Sequence, residues 1–221
     1  MIKRYLSYPL TLKLPAYGSV SENMSINPIN SFENGDSCRT YWIGFKNHWG
    51  THVDCPAHFD RFGKCVQDYP CEFWEFDNPQ VIEITANPGQ IIIIDNLKHQ
   101  IDKKTDLLLL RSGWGLKRGS DTYSCHNPGL EPKIGKWLRR AFPNVRAVGI
   151  DWVSISSYQN RQTGREAHRS FLCSDGQTSP IVLIEDLDLT EPLLGLVKVL
   201  VVPIRIEKID SSPCTVIGFF R

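Results

Sequence analysis

Short runs of β-branched and aliphatic residues recur along the second two-thirds of the chain, separated by polar stretches that contain glycine or proline. Runs of this length and composition predict β-strands. Several are apolar at consecutive positions, which indicates strands covered on both faces within a mixed α/β architecture. The predicted strands are Val81–Ile84, Ile91–Asp95, Asp106–Arg111, Val145–Asp151, Pro180–Glu185, Val197–Ile206 and Cys214–Phe220.

A different periodicity predicts a helix from about Glu131 to Phe142. Its apolar residues recur at i, i+3, i+4 and i+7, and two arginines near its end complement the helix dipole. These apolar residues are Ile134, Trp137, Leu138 and Ala141. A second, shorter helix is predicted from Arg165 to Leu172, and it carries His168.

Length and composition limit the classes of protein that this chain can represent. A chain of 221 residues with no repeat or linker predicts one α/β domain spanning residues 1–221. The 25 basic and 24 acidic residues nearly cancel and form no basic stripe, so we expect no nucleic-acid partner. The apolar runs are too short for a membrane span, so no membrane partner is expected. The seven cysteines are an odd number, and the N-terminal segment has no apolar leader, so a secreted disulfide scaffold is not expected. We expect a reducing cytoplasm instead.

Half of the chain's six histidines fall within one segment of eleven residues. His48, His52 and His58 lie there together with Asp54, and imidazole with carboxylate suits a divalent cation such as Zn²⁺ or Mn²⁺. All four are at even positions, so an extended chain would project their side chains to one face. A helix would turn Asp54 away from the histidines. The pattern therefore predicts a metal site on an extended segment.

Gly50 resolves a difficulty of that extended segment. His48 and His52 would be about 13 Å apart at their backbones, at roughly 3.3 Å per residue, which is too far to share one ion. A glycine between them permits a bend or bulge, and Pro56 keeps Cys55 out of helical geometry. We predict a kinked strand end that leads into a loop.

Two other interpretations of the histidine segment stay open. A single histidine is more often an ordinary core or surface residue, although three with an aspartate at this spacing favour metal. A structural zinc site usually relies on paired cysteines, and the seven cysteines contain no C-x-x-C. Nitrogen and oxygen ligands suit an open, catalytic site better.

Two polar residues elsewhere are candidates to complete the coordination. Glu185 ends the apolar run 181–184, and a carboxylate at the C-terminal end of a strand indicates a cleft, although a surface acid that begins a turn is equally consistent. His168 on its own is consistent with a partly buried helix residue.

The run from His48 to His58 has the form H-x-G-T-H-x-D-x-P-x-H, which resembles the signature of the metal-dependent cyclase family. The best-known members of this family are bacterial kynurenine formamidases. Further segments resemble later family blocks in the same order, so the resemblance covers essentially the full chain. These segments are Leu6–Leu10, Arg111–Trp114, Asn127–Leu130, Gly149–Asp151, Ala167–Arg169, Ile184–Leu187 and Ser211–Pro213.

The resemblance implies a ligand set for one or two divalent ions per chain, Zn or Mn. His48, His52 and Asp54 would bind the first ion, and Asp54 would be able to bridge to a second. His168 and Glu185 would complete the second site.

The resemblance also implies a catalyst, a fold and an assembly. His58 would be the general acid/base. The fold would be a swivelling β/β/α domain with a barrel-like mixed sheet flanked by helices. Members of the family form dimers or larger assemblies, so a homodimer or homotetramer is expected.

The function that these observations predict is metal-dependent hydrolysis of a small amide or ester. The substrate would be an aryl formamide such as N-formylkynurenine or a cyclic amide such as isatin, attacked by water whose pKa the cation lowers. No G-x-S-x-G motif supports a serine nucleophile. The alternatives are a metal-dependent lyase, dehydratase or cyclase on a small carbonyl substrate, and a non-catalytic protein that binds metal or a small ligand.

Four aromatic residues are candidates for the walls of a substrate pocket: Tyr17, Trp49, Phe59 and Trp114. Aromatic side chains serve packing more often than specificity. Kynurenine formamidases carry a tryptophan in the N-terminal segment where this chain offers Tyr17, and the segment Ser170–Ile184 is longer here. We therefore expect aryl formamide hydrolysis to be slower than in a dedicated kynurenine formamidase.

Overall fold

Most strands of the computed structural model join one large mixed sheet, and the others form small two-stranded sheets. The structure describes residues 1–13, 15–19 and 24–221. The strands are β1 (Ile2–Tyr5), β2 (Lys13–Ala16), β3 (Ser19–Asn23), β4 (Ser25–Asn30), β5 (Thr40–Gly44), β6 (His52–Asp54), β7 (Glu75–Phe76), β8 (Pro79–Glu83), β9 (Ile91–Ile92), β10 (Leu107–Arg111), β11 (Gly129–Leu130), β12 (Ala147–Ile150), β13 (Val182–Glu185), β14 (Leu196–Pro203) and β15 (Ser211–Phe220). The α-helices are α1 (Asp121–Cys125), α2 (Pro132–Ala141) and α3 (Arg161–Leu172).

The large sheet has the order β7-β14-β15-β6-β13-β12-β10-β8, and β1 pairs with β15. Its β8, β10, β12 and β13 strands are parallel neighbours, whereas β6 runs antiparallel to both β13 and β15. The two ends of the sheet approach each other, and strand β8 at one end lies close to β14 near the other. The sheet therefore curls into a nearly closed barrel.

The structure confirms that the apolar runs form strands covered on both faces. Leu107 and Leu109 of β10 pack into the barrel interior, and Leu108 and Leu110 pack toward the helices, all four with no exposed surface. Helices α2 and α3 pack against each other over that outer face, closely enough that a Cβ on Gly135 would meet Ser170. This α/β arrangement confirms the predicted fold class.

Both predicted helices are present. Helix α2 matches its predicted range within one residue at each end, and α3 starts four residues before Arg165. All seven predicted strand regions contain strands, with two differences. The segment predicted as Ile91–Asp95 is a strand over two residues and continues as a 3-10 helix from Ile94 to Asn96. Strand β14 ends at Pro203, and residues 204–206 are exposed.

The pattern gave no indication of the N-terminal hairpins β2–β3 and β4–β5. The β4–β5 hairpin buries little of its own surface, so it lacks the alternation of buried and exposed positions that marks a strand. Among the described residues, the structure contains no helix long and apolar enough to cross a membrane.

Candidate metal centre

The histidine segment bends at Gly50, as its sequence predicts. Gly50 has a φ of 62°, in the left-handed region that favours glycine. The bend brings the imidazole rings of His48 and His52 to 5.1 Å between centroids, although an extended backbone would hold them far apart. Beyond it, the chain continues as β6 and then as a short 3-10 helix from Pro56 to His58.

Strand pairing places Glu185 beside His52. The two residues are Cα partners across the antiparallel β6–β13 pair, and His52 Nε2 lies 3.5 Å from Glu185 Oε2. Asp54 follows two residues after His52 and so shares its face of the strand, with Oδ1 at 3.6 Å from His52 Nε2. Strand β6 and the C-terminal end of β13 thus contribute residues to one buried cluster.

Helix α3 brings His168 to the same cluster. Its Nε2 lies 3.5 Å from Glu185 Oε1 and 3.8 Å from Asp54 Oδ2. On the opposite side, His48 Nδ1 lies 3.0 Å from Asp54 Oδ1, so Asp54 stands between His48 and His168. The other four residues that the sequence analysis predicts as ligands therefore lie around Asp54.

Hydrogen bonds orient two of these imidazoles toward the cluster. His52 Nδ1 lies 2.7 Å from the Gly50 carbonyl oxygen, and His168 Nδ1 lies 3.0 Å from the Gly164 carbonyl oxygen. Since a carbonyl can only accept, each Nδ1 carries the hydrogen and each Nε2 points at the carboxylates. His52 Nε2 is buried and has no hydrogen-bond partner among the described residues. An imidazole fixed in this way by a backbone carbonyl is the usual arrangement of a histidine metal ligand.

The charges of the cluster are strongly coupled. Burial opposes a charged His52, but the carboxylates of Asp54 and Glu185 outweigh it and raise the pKa of His52 to about 9. Burial likewise opposes a charged His168, and Glu185 raises its pKa. Burial opposes ionisation of Glu185, but the neighbouring imidazoles of His168 and His52 lower its pKa to about 2. The pKa of Asp54 is lowered well below its usual value, mainly by His48 and His52, against its burial.

The donor set fits a divalent cation. One ligand atom each from His52, Asp54 and Glu185 lies within 4.8 Å of the others, and the same holds for His48, Asp54 and His58. Asp54 belongs to both groups, which is the position of a bridging carboxylate. A cation would supply the positive charge that protons on His52 and His168 supply otherwise.

His58 has a carboxylate partner that the sequence did not reveal. Its Nδ1 lies 2.7 Å from Asp210 Oδ2, and this hydrogen bond is the main reason that the pKa of Asp210 is lowered. Asn47 also donates to Asp210, at 3.0 Å. Asp210 immediately precedes the Ser211–Pro213 block, which is the sequence signal that could have identified it.

The cluster forms one wall of a cavity of about 390 Å³. Arg161 and Arg165 also line the cavity, and the sequence analysis predicts neither residue. The predicted residues that line the cavity are Tyr17, His48, His52, Asp54, His58, Phe59, His168 and Glu185.

Two of the four aromatic residues expected to wall the pocket lie elsewhere. Trp49 is 2% exposed and packs against Met24, because it projects to the opposite face from its neighbouring histidine. Trp114 is 1% exposed within the core beneath the helices, where its indole nitrogen donates to the Ala86 carbonyl. In contrast, the Phe59 ring stacks on His168 at 4.9 Å inside the cavity.

The fold and the donor set together are those of a divalent-metal centre beside the central β6–β13 pair of a nearly closed mixed sheet. The chain belongs to the Cyclase family, whose model, described as "Putative cyclase", matches residues 5–157.

Individual proteins of known name resemble the chain over most of its length. It is 27% identical over 186 residues to a kynurenine formamidase of Geobacillus thermodenitrificans, covering 83% of this chain and 81% of that one. Isatin hydrolase A from Labrenzia aggregata, solved with benzyl benzoate, superposes with a TM-score of 0.78 at 18% identity, covering 98% and 93% of the two chains. A potential metal-dependent hydrolase with cyclase activity superposes with a TM-score of 0.77 at 18% identity, covering 100% and 98%.

Proposed function

We propose that the protein is a metal-dependent hydrolase of a small amide or ester, with an aryl formamide such as N-formylkynurenine or a cyclic amide such as isatin as substrate. The observation that carries the proposal is the buried cluster around Asp54, placed in the wall of a cavity beside the His58–Asp210 pair. The kynurenine formamidase relative and the isatin hydrolase fold support the same class of reaction.

The residues proposed to hold the cation, Zn²⁺ or Mn²⁺, number five. One or two ions per chain would be bound by His48, His52, Asp54, His168 and Glu185. When bound, a divalent cation lowers the pKa of water toward neutrality and polarises a carbonyl group.

The remaining steps are assigned to His58 and its surroundings. His58 would accept the proton of the attacking water and return a proton to the departing nitrogen of an amide or oxygen of an ester, a role for which histidine is the common residue type. Asp210, held by Asn47, would fix the orientation of the His58 ring through Nδ1 and leave Nε2 toward the substrate. Phe59 and Tyr17 would contact the aromatic part of the substrate and exclude water from it.

Isotopic labelling of the product tests this proposal. Metal-reconstituted protein is incubated with formanilide, and separately with isatin, in ¹⁸O-enriched water. Hydrolysis predicts solvent oxygen in the formate or in the ring-opened acid. A product without solvent oxygen would replace the proposal by a lyase or cyclase, and no turnover with metal fully bound would favour a non-catalytic binding protein.

We further propose that residues 1–221 act as one domain that assembles as a homodimer or homotetramer. The pairing of β1 with β15 supports one domain, because it joins the two ends of the chain in the large sheet. The β4–β5 hairpin supports assembly, since its Ile29, Trp42 and Ile43 side chains are more than half exposed. Light scattering measures the mass in solution, and a monomer would contradict assembly.

A reducing cytoplasm is also proposed as the location. All seven cysteines, each among the described residues, are free thiols, as is usual there.

A further inference from the structure

One face of helix α3 presents two arginines and one proposed metal ligand to the same cavity. Arg161, Arg165 and His168 are spaced i, i+4 and i+7, so they share that face, and all three line the cavity. His168 is buried in the cluster, whereas both arginines are exposed to solvent. The cavity thus has an acidic and imidazole floor and a cationic rim.

Neither rim arginine has an acidic partner among the described residues. Other arginines of the chain do have one: Arg118 pairs with Asp186 at 2.7 Å and Arg139 with Asp175 at 3.1 Å. Glu166, the acid next to Arg165 in sequence, accepts a hydrogen bond from Gln162 instead. The two rim guanidinium groups are therefore free to bind an anion from outside the chain.

Aromatic contacts hold the outer arginine in place. The Arg161 guanidinium lies over the Tyr158 ring, 4.0 Å from its centroid. Tyr158 packs edge-on against Tyr17 at 5.3 Å, and the Tyr17 hydroxyl donates to the Ser157 carbonyl. A stacked guanidinium loses less conformational freedom when it binds a ligand, which favours recognition by this residue.

We propose that Arg161 and Arg165 bind a carboxylate of the substrate and so select aryl amides or esters that carry an anionic group away from the scissile bond. This inference rests on the proposed hydrolase function. At about 1.5 Å of helix rise per residue, Arg165 lies about 4.5 Å and Arg161 about 10.5 Å along the axis from His168. The carboxylate would therefore be separated from the reacting carbonyl by one to two helical turns, a distance that an aromatic ring between Tyr17 and Phe59 would span.

A matched pair of substrates tests this selectivity. We compare 4-formamidobenzoate with its neutral isostere 4-formamidobenzamide on metal-reconstituted protein, the double variant Arg161→Gln/Arg165→Gln and the control Arg140→Gln. Arg140 is an exposed arginine of α2 outside this cavity, so its loss changes net charge without changing the rim. Loss of hydrogen bonds to a charged group predicts that kcat/KM for the benzoate falls about tenfold or more in the double variant. The benzamide should stay within about twofold, as should both substrates in the control.

Two results would overturn the arginine assignment while leaving the hydrolase proposal intact. One is an equal loss for both substrates in the double variant, which would indicate a structural role. The other is an unchanged preference for the benzoate.

If wild-type protein turns over neither substrate, the hydrolase proposal fails for this class, and binding decides the arginine assignment. Calorimetry then compares 4-aminobenzoate with 4-aminobenzamide. Weaker binding of the benzoate alone in the double variant supports the assignment. Benzoate binding that survives both substitutions, as binding at the metal alone would, contradicts it.

Discussion

His58 is the residue whose position is compatible with two roles. It is close enough to His48 and Asp54 to share a cation with them, and it is hydrogen-bonded to Asp210 as an acid/base catalyst would be. We predict that His58→Asn retains its metal but loses roughly 100-fold or more in kcat, the usual effect of removing a general acid/base. Metal content and kcat are measured on the same preparation. Loss of metal as complete as in His52→Ala would make His58 a ligand.

We propose that Asp210 acts on the substrate only through its hydrogen bond to His58. Asp210→Asn keeps the size of the side chain but removes the charge that fixes and stabilises a protonated His58. We expect kcat to fall roughly 10- to 100-fold with little change in KM or metal content. Asp95→Asn, which removes an exposed carboxylate that pairs with Lys98, is the control. A change in KM without a change in kcat would assign Asp210 to substrate binding.

How far single residues could be predicted depends on how local their contacts are. His48, His52 and Asp54 lie in one segment, so their spacing and Gly50 were sufficient to place them together. Asp210 is 152 positions from His58, and no periodicity links them. The alternation of side chains along the histidine segment places Trp49 on the face away from the site. Its aromatic character alone therefore does not make it a wall of the substrate pocket.

At the scale of elements, the bend at Gly50 sets the geometry of β6 and its ligands. Gly50→Ala forces a side chain into left-handed backbone, at a cost of about 1–2 kcal/mol, or shifts the segment. Because a shift would separate His48 from His52, we predict a metal affinity lowered at least tenfold, measured by competition with a chromophoric chelator. Gly35→Ala is the matched control, since Gly35 has a φ of 83° and no atom near the added Cβ. Equal affinity in the two variants would show that the bend is not what holds the ligands.

The elements that could be predicted are those with two covered faces or one apolar stripe. Strand β10 and helix α2 have such patterns, and both were placed within about a residue of their ends. The β4–β5 hairpin is mostly exposed in the isolated chain. Its sequence therefore lacks the alternation of apolar and polar positions that predicts a strand. The pairing of β6 with β13, which brings Glu185 to His52, depends on tertiary contacts that a single sequence does not encode locally.

For the whole molecule, the cluster makes the stability of the metal-free protein depend on pH. The pKa of His52 is raised from 6.5 to about 9, so its contribution is fully present below about pH 6.5 and is lost as pH rises through 9. The pKa of Glu185 is lowered from 4.5 to about 2, so its contribution is present above about pH 4.5 and is lost as pH falls toward 2.

We therefore predict that the urea midpoint of unfolding of chelator-treated wild type decreases as the pH is raised from about 6.5 to about 9.5. The same rise in pH should lower the midpoint of His52→Gln by less. Metal-loaded protein should resist this fall, because a cation competes with protons for the same nitrogens and binds better as pH rises. Identical pH profiles for wild type and His52→Gln would show that His52 is not the group that titrates.

We propose that residues of the histidine segment, of helix α3 and of strand β13 assemble one divalent-metal centre. Elemental analysis of protein purified without chelator tests it most directly. We predict about one to two Zn or Mn ions per chain in wild type, and a much lower content in His52→Ala, which lacks one of few ligands. A wild-type content below about 0.3 ions per chain that reconstitution does not raise would contradict it.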